Sequence, residues 1–100
     1  MVTQDLQLVK QIFELLDAGI VDGYDSFCYE VTVSVGYMET VLTVEKEGVR
    51  VTDAETDYNG AIIYRLVKEL RECATRRGEN WNSFVMIYAR GGEVKTKFDV

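Results

Sequence analysis

FCYEVTVSVGY, residues 27–37, has a strict two-residue period. Phe27, Tyr29, Val31, Val33, Val35 and Tyr37 share one face of an extended chain, and Cys28, Glu30, Thr32, Ser34 and Gly36 share the other. Aromatic and β-branched side chains on one side only predict a strand with that side on a core. A second strand is expected over about 40–46, and EKEG around Gly48 reads as a hairpin into a third, VRVT at 49–52.

On either side of these strands the period changes to 3–4. Residues 4–18 predict a helix with Leu6, Val9, Ile12, Phe13 and Leu16 on its apolar face. Thr3 or Asp5 is placed to cap its start, and Gly19 to end it. After the turn-rich segment DAETDYNG at 53–60, Ile63, Leu66, Val67, Leu70 and Cys73 or Ala74 mark a second helix. Asp57 or Asn59 is placed to cap its start. Gly78, after Arg76 and Arg77, sits where a helix stops. Residues 81–90 and 94–99 then predict two strands joined by the glycine turn ARGGE, with Val94, Thr96, Phe98 and Val100 alternating against Lys95, Lys97 and Asp99.

The expected order is helix, three strands, helix, two strands. Short turns between strands imply antiparallel pairing, and one-sided helices need a sheet face to cover. The prediction is a single α+β domain over residues 1–100, an antiparallel sheet with two helices. A 100-residue chain that is 47% apolar can bury roughly 60–68% of its unfolded surface, enough for a core without crosslinks or metals.

Composition narrows the function. Eleven basic against seventeen acidic residues give a net charge of −6, which repels phosphate backbones and argues against a nucleic-acid partner. Tyr58, Tyr64 and Trp81 could otherwise suggest a base-stacking platform, and the basic side chains Arg65, Lys68, Arg71, Arg76 and Arg77 a phosphate track. The latter alternate with Glu69 and Glu72, as on a solvated helix face. No apolar run is long enough for a membrane span, and MVTQDLQLVKQIF has no signal-peptide h-region, so a cytoplasmic protein is expected.

No histidine is present, which removes the commonest general base and the histidine-dependent nucleophile pairs and metal sites. Gly91 and Gly92 lie in a hairpin and not between a strand and a helix, so no phosphate loop is expected. Cys28 and Cys73 have no metal-site spacing and read as two buried thiols, with an oxidised pair as the alternative. Cys73, with Arg76 and Arg77 one turn on, would make a nucleophile only if it left the apolar stripe. No catalytic residue, metal or cofactor is expected.

The positive signal is acidic. Asp53, Glu55, Asp57 and Tyr58 form one group in the loops, and Asp22, Tyr24 and Asp25 a second. Carboxylates beside tyrosines suit a basic protein surface: charge accelerates encounter, and the ring supplies desolvated contact area.

The last third, LVKELRECATRRGENWNSFVMIYARGGEVKTKFDV at 66–100, resembles the end of the bacterial YezG-like immunity proteins. The matching pattern is a helix, a short polar link, then Trp81 with Ser83 two residues on. A strand, a glycine turn at Gly91 or Gly92, and an amphipathic last strand with Phe98 follow. The first 55 residues match only in the order of elements, a helix followed by strands. The resemblance implies a non-enzymatic antitoxin that binds a cognate protein toxin, with Trp81 anchoring the second helix to the sheet. Toxins of such systems are often nucleases with basic grooves, which an acidic inhibitor can fill as a phosphate mimic. The family motif does not mark the acidic loops as the contact. The other class open to this sequence is a small adaptor domain that self-associates through a sheet edge. Lys95 and Lys97 on the last strand oppose that use of it, and the oligomeric state stays open.

Overall fold

The computed structural model describes residues 3–99. It shows an α+β protein of two helices and five antiparallel strands in the expected order: α1 (Thr3–Gly19), β1 (Ser26–Ser34), β2 (Tyr37–Lys46), β3 (Val49–Val51), α2 (Gly60–Arg76), β4 (Ser83–Ala89) and β5 (Lys95–Asp99). The chain forms two units. One is helical, made of residues up to Val21 together with Thr56–Asn80; the other is the sheet, made of Asp22–Glu55 together with the chain from Trp81 onward. The side chain of Thr3, offered as a cap, and Val100, offered as the end of the last strand, lie outside the described residues.

In the helical unit α2 follows its sequence closely. Asn59 caps it, its side chain accepting from the Ala61 N–H at 2.9 Å. At the other end Gly78 takes φ +84°, its N–H donates to Thr75 and the Glu79 N–H donates to Ala74, the paired bonds of a Schellman stop. Ile63, Leu66, Val67, Leu70, Cys73 and Ala74 are all buried.

The apolar face of α1 is rotated from the expected one. Leu8, Val9, Ile12 and Leu16 are buried, Phe13 is half-buried, and Leu6 is 55% exposed. Asp5 takes the inward position at 4% exposure because Arg77, just past the end of α2, grips both its carboxylate oxygens, at 2.7 and 3.2 Å. The same guanidinium holds Glu79 at 2.6 Å. These two carboxylates raise the Arg77 pKa above its ordinary value, the hydrogen bonds that Arg77 donates to Asp5 contributing most.

Gly19 ends α1 for a reason other than a left-handed backbone. A Cβ there would meet the Tyr58 Cβ at 2.7 Å, so the glycine admits the start of the second segment. The Asp57 N–H donates to the Gly19 carbonyl at 2.8 Å, and Ile20 bridges Thr56.

The sheet order is β3-β2-β1-β4-β5, with β1 at the centre. Phe27, Tyr29 and Val31 are buried on one face of β1, beside Val44 of β2 and Phe84 and Met86 of β4. The expected long strand ends early: Ser34 pairs with Tyr37, and Val35–Gly36 form a two-residue turn with Gly36 at φ +83°. Val35 is therefore 99% exposed, and Tyr37 starts β2 on the opposite face at 54% exposure. Alternation alone cannot register this reversal. Trp81 is buried within the sheet unit, 5.3 Å from the Phe98 ring and 6.1 Å from Phe84.

Candidate functional site

The first segment to place is the loop before β1. Tyr24 is 3% exposed, so its ring is not offered to a partner, contrary to the expectation from its acidic neighbours. It packs edge-on against Phe27 at 5.2 Å and Tyr88 at 6.2 Å, with the Arg90 guanidinium 4.5 Å above its face. Arg90 Nε also donates to the Tyr24 carbonyl at 2.6 Å.

Asp25 is exposed yet engaged at three points. Its N–H donates to Glu45 at 2.8 Å, its carbonyl accepts from the Arg90 N–H at 2.9 Å, and its Oδ2 accepts from the Glu47 N–H at 2.7 Å. It ties the loop to the β2–β3 hairpin on one side and to the β4–β5 connection on the other. Lys46 donates to the Asp22 carbonyl. The Asp22 carboxylate itself has no partner among the described residues.

This end of the sheet therefore holds Asp22, Asp25, Glu45 and Glu47 against Lys46, Arg50 and Arg90, with Arg50 paired to Glu45 at 3.4 Å. Among the described residues Glu45 is the one of these acids in an ion pair, and the Asp25 carboxylate is held by a backbone N–H.

The second segment differs. Asp53, Glu55 and Asp57 are exposed, and no hydrogen bond or ion pair reaches their carboxylates among the described residues. Asp53 and Glu55 belong to the sheet unit and Asp57 to the helical unit. Tyr58 is half-buried, with its Cβ and ring edge close to Gly19.

The thiols differ as well. Both are free; Cys73 is buried, while Cys28 is half-buried on the outer side of β1. Burial, and then Glu30, push the Cys28 thiol pKa up, against a smaller lowering by Arg50. Arg76 Nη2 lies 3.6 Å from Cys73 Sγ, but Arg77 is spent on Asp5 and Glu79. Cys73 thus stays in the apolar stripe.

A shallow groove of about 300 Å³ lies along Gln11, Glu14, Leu15, Ile62 and Leu66 in the helical unit. It is at the small end for ligand sites, and of the charged groups only Glu14 lines it. No group of three metal-ligating side chains occurs among the described residues, and none of their helices is long and apolar enough to cross a membrane. The cationic groups near the acids were legible as residues but not as partners, since Arg90 meets Tyr24 across 66 positions. No protein-family model and no curated protein matches this chain.

Proposed function

We propose that this protein is an immunity protein, a non-enzymatic antitoxin that binds and neutralises a cognate, basic, nuclease-type protein toxin in the bacterial cytoplasm. The observation that carries the reading is the set of exposed carboxylates at Asp53, Glu55 and Asp57, with no cation of the described residues against them. Uncompensated acids on a chain of net charge −6 attract a basic surface and gain most when arginines or lysines desolvate them. The resemblance of residues 66–100 to YezG-like immunity proteins supports the same class of partner. Asp53, Glu55, Asp57 and Tyr58 are the first contact set. Asp22 is a secondary contact, because Asp25 and Tyr24 are engaged within the fold.

The test is capture of the toxin from native lysate by the tagged protein, with a wash at about 0.5 M salt to screen out weak charge pairing. A single basic domain retained stoichiometrically supports the reading; its absence returns the protein to the adaptor class. With the partner in hand, Asp53→Lys combined with Glu55→Lys should weaken binding by several kcal/mol. A loss below about tenfold, roughly 1.4 kcal/mol, removes these acids from the contact.

A further inference from the structure

The sheet has two edges, and they are treated differently. β5 carries Lys95 and Lys97, exposed cations that discourage strand pairing. At the other edge β3 is only Val49–Val51 and pairs with Val44, Glu45 and Lys46 alone. The ladder stops at Val51 with a bend at Thr52, and among the described residues no backbone hydrogen bond from outside the ladders reaches residues 37–43 of β2. This long segment, YMETVLT, has no lysine, proline or glycine to guard it. Tyr37 is 54% and Val41 45% exposed.

The direction of its free groups follows from the hairpins. The two-residue β2–β3 turn closes on Lys46 and Val49, so even-numbered β2 residues aim their N–H and C=O toward the β3 side. Odd-numbered residues aim toward β1, as the Asp25 N–H bond to the Glu45 carbonyl shows. Beyond β3, the outward backbone groups of Met38, Thr40 and Leu42 are left without a ladder partner.

We propose that this edge pairs with the same edge of a second copy of the chain, antiparallel and centred on Thr40. In that register Thr40 faces Thr40, Met38 faces Leu42, Glu39 faces Val41 and Tyr37 faces Thr43. Every outward N–H and C=O of Met38, Thr40 and Leu42 then finds a partner. Glu39 is the one charged residue of the segment, and no like charges lie directly opposite. The two Glu39 carboxylates meet only on the diagonal. The open segment is centred on Thr40 because β3 takes over the ladder at Val44. The product is a continuous ten-stranded sheet that dissociates on dilution, since its contact is one strand pair. None of these β2 residues belongs to the set assigned to the toxin.

The experiment is sedimentation velocity on the full chain from about 1 µM to about 500 µM, a span that brackets weak association. A concentration-dependent dimer is expected. Thr40→Lys places two cations face to face and should weaken it about tenfold. Val41→Lys places a cation between the two Glu39 carboxylates and should hold or tighten it; in a face-to-face stack of sheets the same change would disrupt association. Hydrogen exchange on the parent protein gives a readout independent of any variant. The Met38, Thr40 and Leu42 amides should slow with rising concentration, while those of Glu39 and Val41 stay unchanged. A monomer throughout, a dimer indifferent to Thr40→Lys, or unaltered exchange at the three even positions overturns the proposal. Slowing of those amides only when a captured toxin is added also overturns it, and gives the edge to a strand of that toxin.

Discussion

Glu47 is the one described residue other than glycine with a left-handed backbone, at φ +53°, and Gly48 follows at φ +79°. Between the partners Lys46 and Val49 this pair forms the type I′ turn that matches strand twist. Glycine carries its half without cost, whereas glutamate there costs about 1–2 kcal/mol through its Cβ. Asparagine tolerates the left-handed region better, so Glu47→Asn should stabilise the protein by about 0.5–1 kcal/mol. The Asp25 carboxylate accepts from the Glu47 backbone N–H at 2.7 Å, a bond that any residue except proline retains. For a chain of this length the gain corresponds to a rise of about 2–8 °C in Tm. Thermal unfolding followed by circular dichroism, with urea titration at 25 °C, measures it. Removing a negative charge beside Asp25 is a competing cause, and Glu47→Gln isolates it: glutamine keeps the strained Cβ and loses the charge. Conformational relief requires asparagine to stabilise and glutamine to leave Tm nearly unchanged. If glutamine raises Tm as much as asparagine, or asparagine does not raise it, the strain argument fails.

Three further outcomes follow from the same geometry. Gly19→Ala should lower stability by about 1–3 kcal/mol in urea titration, because the close approach of Tyr58 outweighs alanine's better helix propensity. Arg77→Met should lower Tm by more than Glu79→Gln does, since the first strands the buried Asp5 carboxylate and the second releases an exposed one. Cys28 should react with a thiol reagent only at higher pH than a free cysteine. Its raised pKa means the thiolate appears later as pH climbs, and a rate profile matching free cysteine contradicts the burial assigned to it.

Local chemistry was sufficient for α2, because its apolar spacing, the Asn59 cap and the Gly78 stop all act within a few residues of one another. The same is true of the inward face of β1 as far as Val31, and of the hairpin at Gly48. The structure departs from the sequence pattern where a distant partner or a reversal sets the outcome. Two-residue alternation reads straight through the Val35–Gly36 turn, since the pattern in sequence persists while the chain reverses in space. The inward turn of Asp5 depends on Arg77, and that of Tyr24 on Tyr88 and Arg90, all supplied from far along the chain.

The acidic loops show the same division. Their charge was visible in composition, but not which carboxylates were already engaged. The Asp25 carboxylate is bound to the hairpin, while those of Asp53, Glu55 and Asp57 meet none of the described residues. Periodicity, caps and net charge are properties of neighbouring residues and of sums, so the amino-acid order fixes them. Burial of a single polar group and the exposure of a strand edge depend on segments that meet only after folding, so the tertiary structure decides them.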